Sequence, residues 1–172
     1  MPKKALVIID MLNDFLLPGA PLEVPDTREI MPNIEREIDK ARGEGYPVVY
    51  VCDSHAPDDR EFKIWPRHCV KGTKGAQVVD ELKPEPEDTV VEKTTYSGFF
   101  NTRLEEVLKS LGATELIITG CVTNICILYT SSDAVLRGYN VTVPKDSVAG
   151  LNKEDHEFAL RQMEKVLKVK II

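Results

Sequence analysis

The sequence has no surplus of positive charge: 22 Lys and Arg stand against 28 Asp and Glu, a formal net charge of -6. No nucleic-acid partner is expected, because neutralising phosphates needs an excess of basic side chains. Long apolar runs are missing too. The longest, such as Ala5 to Ile9, are strand-sized, so no membrane partner is expected either. The chain starts Met-Pro-Lys-Lys and passes directly into that run, without a longer apolar region or a small-residue cleavage site, which leads us to expect a cytoplasmic protein. Cysteine is sparse: Cys52, Cys69, Cys121 and Cys126 never fall at CxxC spacing, which argues against a metal knuckle. With no secretion signal, a disulfide framework is not expected. No GxGxxG follows the first apolar run, so a dinucleotide-binding fold of that type is unsupported.

What the sequence does contain is an alternation of two periodicities. Lys4 to Asp10 is a continuous apolar run ending in an acid, the pattern of a parallel strand buried on both faces. From about Arg28, Ile30, Ile34, Ile38 and Ala41 recur at helical spacing until Gly43 and Gly45. Further strands are expected at Pro47–Cys52, Thr89–Lys93, Glu115–Thr119 and Asn140–Val143, with a closing strand in Lys168–Ile172. Helices are expected at Ala76–Leu82, Leu104–Leu111, from Thr123 to Gly138, and at Glu154–Leu167. The alternation predicts an α/β fold: a three-layer αβα arrangement, with a mostly parallel central sheet of about six strands, in one domain over residues 1–172.

Open parallel sheets form their sites outside the carboxyl ends of the strands. The first strand ends at Asp10, the second at Asp53, the third at Lys93, and the fourth runs through Gly120 towards Cys126. These groups are therefore expected to face one crevice. Thr123 and Asn124 are both good helix caps, which puts Cys126 in the first turn, where free amides and a nearby ammonium favour a thiolate. Asp10 would move the proton, and amides at the helix start would hold an oxyanion. Each residue alone also has a plainer reading. Cys126 suits a helix core position, Asp10 a turn after a strand, and Lys93 a solvated strand end. A second cluster joins Asp53 and His55, two apart and able to point the same way, with His68 from the following loop. This O/N set suits Zn²⁺, Fe²⁺ or Mn²⁺, although the histidines could equally be surface loop residues.

Five segments occur in order: Asp10-Met-Leu-Asn-Asp-Phe15, Asp53-Ser-His55, Trp65-Pro-Arg-His-Cys-Val-Lys-Gly72, Glu92-Lys93 with Tyr96-Ser-Gly-Phe99, and Gly120-Cys-Val-Thr-Asn-Ile-Cys126. Together they resemble the isochorismatase-like cysteine hydrolases, most closely the nicotinamidase branch. The resemblance implies a catalytic set of Asp10, Lys93 and Cys126, and an oxyanion hole from the backbone of Val122, Thr123 and Cys126. It also implies a cis peptide bond between Val122 and Thr123. Asp53, His55 and His68 match metal ligands of the family, with Glu61 as the fourth, and a divalent metal, zinc first, is the implied cofactor. Phe15, Trp65 and Tyr96 match residues that bind the flat substrate. The implied partners are a small-molecule amide and further copies of the chain, in a dimer or tetramer. The implied activity is conversion of nicotinamide to nicotinate and ammonia through a thioester. Two other readings stand beside it. One is an N-carbamoylsarcosine-type amidase, which would read a carboxylate with Arg67 or Lys71. The other is a non-catalytic member that binds a small molecule.

Overall fold

The structure is a computed structural model that describes residues 3–172. Seven strands form one sheet among the described residues: β1 (Lys4–Ile9), β2 (Val48–Asp53), β3 (Thr89–Lys93), β4 (Glu115–Cys121), β5 (Asn140–Val143), β6 (Val148–Ala149) and β7 (Lys170–Ile171). The order is β3-β2-β1-β4-β5-β7, and β6 pairs with the end of β4. Every pairing is parallel. The strand beyond the six expected is β6, a two-residue addition whose sequence is too short to show a period.

Alternate residues of β1 feed two apolar cores, one on each face. Leu6 and Ile8 pack with Ile34 and Ile38 of α2 (Thr27–Glu44), which follows the short α1 (Asn13–Leu16), along with Tyr50. Ala5, Val7 and Ile9 pack with Leu104 and Leu108 of α3 (Leu104–Ser110) and with Met163 of the C-terminal helix (Lys153–Lys165). A strand covered on both sides has no polar face to alternate, which is why β1 reads as an unbroken apolar run. The helix expected from Arg28 to Ala41 is α2, buried through those same isoleucines. It runs through Gly43 and ends at Gly45, whose φ of 74° supplies the left-handed cap.

The helix expected over Ala76–Leu82 is absent. In its place two 3₁₀ turns, Lys74–Ala76 and Asp80–Leu82, flank an extended stretch in which Val78 bridges Leu12. Hydrogen bonds from the loop after β1 explain the difference. The Asn13 side chain donates to the carbonyls of Lys74 and Gln77, and Val79 N–H donates to Met11. These long-range partners compete with the local helix for the same backbone groups. No helix among the described residues is long and apolar enough to cross a membrane.

Candidate active site

The strand ends converge as the sequence led us to expect. β2 and β3 are in register with Asp53 opposite Lys93, and β1 lies beside β2 with Asp10 just past its end. Asp10 has φ 53°, a left-handed conformation uncommon for a side-chain-bearing residue and often found where a site requires it. Its Oδ1 accepts from Asp53 N–H at 2.8 Å. Lys93 Nζ sits 2.7 Å from Asp10 Oδ2, 2.5 Å from Asp53 Oδ1 and 3.5 Å from Cys126 Sγ. All four residues are buried. One ammonium thus joins two carboxylates and one sulfur beneath the surface.

β4 delivers the sulfur. Gly120, at φ 112°, lies so close to β1 that a Cβ there would stand 2.0 Å from the Ile9 carbonyl oxygen, so only glycine fits. β4 extends to Cys121, two residues further than the expected end at Thr119. The cis peptide lies one bond earlier than expected, between Cys121 and Val122 and not between Val122 and Thr123. The next turn, Thr123–Ile127, is a π-helix that runs into α4 (Leu128–Leu136). Neither Thr123 nor Asn124 is its cap. Val122 holds that place without a side-chain bond, and Asn124 Oδ1 is buried with no partner among the described residues. The Val122 carbonyl accepts from Ile125 at 3.0 Å and Ile127 at 3.2 Å, passing over Cys126. An α-helix would have bound the Cys126 amide to that carbonyl, whereas the wider π turn spares it.

Burial of these charges sets their proton affinities. Burial, then the charge of Asp53, raises the Asp10 carboxyl to about 6 against the opposing pull of Lys93. Burial also works against the Lys93 charge, but Asp10 and Asp53 outweigh it and hold the ammonium well above the usual lysine range. Asp53 is opposed by burial as well, yet Lys93 and the two histidines hold it well below the carboxylate range. The expected depressed thiol is not found. Burial pushes Cys126 well above its ordinary value, and Lys93 offsets only part of that. The hydrogen-bond contact that the structure gives the sulfur is Lys93 Nζ, at 3.5 Å.

The second cluster shares Asp53. Its Oδ2 lies 3.6 Å from His55 Nε2 and 3.8 Å from His68 Nε2, and the three ligand atoms fall within 4.8 Å of one another. Each imidazole is oriented from behind. His55 Nδ1 meets Asp59 at 3.1 Å, and His68 Nδ1 donates to the Pro66 carbonyl at 2.7 Å. This leaves His55 Nε2 buried without a hydrogen-bond partner among the described residues, facing Asp53 and His68. An orphaned buried nitrogen with its other nitrogen tied back fits a divalent metal. Glu61 stands at the edge of the group, with Oε1 4.0 Å from His68 Nε2.

The open side is a cleft. Phe15, Trp65 and Tyr96 line it, and Trp65 Nε1 donates to the Tyr96 hydroxyl at 3.1 Å. Asp53, Glu61, His68 and Cys126 supply its polar wall. Leu22, Val24, Ile125 and Leu151 line it too and were missed, being isolated apolar residues in loops or turns with no local pattern to mark them. No Lys or Arg lines the cleft. Lys71 pairs with Glu92 at 2.5 Å on the surface, and the Arg67 guanidinium lies over the Phe62 ring.

With this geometry in place, similarity to known proteins is informative. Residues 4–170 match the model of the Isochorismatase domain. A protein of Arabidopsis thaliana named a probable inactive nicotinamidase is 37% identical over 173 residues, covering 94% of this chain and 88% of that protein. The solved pyrazinamidase of Pyrococcus horikoshii in complex with zinc superposes with a TM-score of 0.92 at 36% identity, covering 99% of each chain. The N-carbamoylsarcosine amidase of Thermoplasma acidophilum superposes with a TM-score of 0.90 at 36% identity, over 98% of this chain and 95% of that one.

Proposed function

Because the chain belongs to the isochorismatase family of hydrolases, we propose that it cleaves the carboxamide of a small flat aromatic amide, nicotinamide foremost, through a thioester on Cys126. The observation that carries this reading is the single buried ammonium of Lys93, placed against Asp10, Asp53 and the Cys126 sulfur at once.

In the proposed sequence Asp10 acts first as base. With its carboxyl near 6 and the thiol raised, the pair rests at neutral pH as carboxylate and thiol. The thiol proton passes to Asp10 as sulfur bonds to the amide carbon, and the carbonyl electrons move onto oxygen. Backbone N–H groups of the Val122–Cys126 turn hold that oxyanion. When the C–N bond breaks, Asp10 returns the proton to the departing ammonia. Water then attacks the thioester, Asp10 takes its proton, and the C–S bond breaks to release the acid and restore the thiol. Lys93 stays charged throughout and holds both carboxylates in place. Asp53, His55 and His68 would hold a divalent metal, with Glu61 beside them, and such an ion would anchor a ring nitrogen of the substrate. Phe15 and Trp65 would pack against the ring.

The second reading, a ureido-acid amidase, draws support from the Thermoplasma acidophilum likeness. The cleft weighs against it, because its lining carries carboxylates and no cationic side chain to meet a substrate carboxylate. Measuring ammonia release from nicotinamide, pyrazinamide and N-carbamoylsarcosine side by side tests the choice. The first two are expected to turn over, and activity on the third alone would replace this reading with the other.

A further inference from the structure

His156 is the one histidine that the two clusters leave unused. It sits in the first turn of α5 (Lys153–Lys165), where Asn152 caps the helix through Asp155 N–H at 2.9 Å and His156 N–H donates to the Asn152 carbonyl. The start of the helix is therefore a fixed platform. Its ring reaches back across 33 residues to the nucleophile turn, with Nδ1 2.9 Å from the Thr123 hydroxyl. That hydroxyl is fully buried and has no other partner among the described residues. Gly150 makes the approach possible, since a Cβ there would lie 3.0 Å from His156 Cβ. Burial holds the imidazole below its usual range, so it meets Thr123 as a neutral ring.

The turn that Thr123 opens carries its own demand for support. Its amino-terminal residue Val122 has no side-chain cap, and its π geometry forgoes the regular ladder at Cys126. A buried hydroxyl left unpaired bears its full desolvation cost, which gives the His156 bond leverage over this turn. We propose that His156 is a positioning residue, acting through the Thr123 hydroxyl to hold the Val122–Cys126 turn so that its amides meet the oxyanion. The inference rests on the thioester reading above.

Two electrophiles separate the inference from that reading, whichever amide is the natural substrate. p-Nitrophenyl acetate acylates a thiol through a tetrahedral oxyanion, releasing nitrophenolate while the thiol proton passes to Asp10. Iodoacetamide alkylates by direct displacement of iodide and needs no oxyanion hole. For His156→Ala, acylation at Cys126 should slow about ten- to a hundredfold, while alkylation keeps the wild-type rate. Thr123→Val, which keeps the packing volume and loses the hydroxyl, should show the same selective loss even if His156→Ala folds poorly. Adding His156→Ala to it should change little more, and His156→Asn should restore part of the acylation rate. Equal slowing of both reactions, additive losses in the double variant, or unchanged acylation with only a lower melting temperature would overturn the assignment. Failure of the wild-type protein to acylate at Cys126 would instead remove the thioester reading, and this inference with it.

Discussion

β1 has a lysine–carboxylate pair at each end, and the two pairs could hardly differ more. At the amino end Lys4 meets Glu44 at 3.2 Å with both side chains at least a third exposed. At the carboxyl end Asp10 meets Lys93 at 2.7 Å, with Asp53 beside them, all buried. An exposed pair gains little, because water and salt screen it and two long side chains lose freedom. A buried set is costly to assemble and costly to break, since removing one member strands the others away from water. The backbone follows the same division. The described amino ends are ordinary parallel ladder, whereas the carboxyl ends collect a left-handed Asp10, an obligatory Gly120 and a π turn. The candidate site occupies the end where the chain departs from regular geometry.

The largest effect should come from the buried cation. Lys93→Met leaves Asp10 and Asp53 facing each other without a counter-charge, and denaturant unfolding should show a loss of about 3–5 kcal/mol at neutral pH, together with loss of turnover. A stability loss comparable to that of a surface variant would break the contrast. Next comes the outer support of the metal group. Asp59→Asn weakens the grip on His55 Nδ1 and should lower metal affinity roughly 10–100-fold by titration, with the fold intact. Smaller still is a pH effect. Asp10 must be ionised to take the thiol proton, and its carboxyl titrates at about 6, so kcat/KM should fall as pH drops through that value and level off above it. A profile flat from neutral to acid would remove Asp10 as the base. The smallest change belongs to the exposed pair: Lys4→Met should alter stability by less than about 1 kcal/mol and leave activity unchanged.

Much of this site could be read from the sequence because sheet geometry does the gathering. Asp10, Asp53 and Lys93 each close or follow an expected strand, and parallel strands in register must bring such ends together. Trp65 and Phe15 were found through motif order. What escaped depends on contacts between distant segments. The loop at residues 74–82 is extended because Asn13 and Met11 take its backbone partners. His156 reaches Thr123 from a helix whose sequence looks like any amphipathic surface helix. The raised Cys126 thiol reflects how deeply the site is buried, which no local pattern of charges reveals.

The central claim is that this sulfur, held beside Asp10 and Lys93, bonds to a substrate carbonyl carbon in the cleft next to the metal group. A crystal structure of the protein soaked with nicotinaldehyde tests it most directly, because an aldehyde accepts the sulfur but offers no leaving group. The account predicts continuous density from Cys126 Sγ to the aldehyde carbon, with the ring between Phe15 and Trp65 and its nitrogen directed at Asp53, His55 and His68. An aldehyde lying free in the cleft, or attached to any residue other than Cys126, would contradict it.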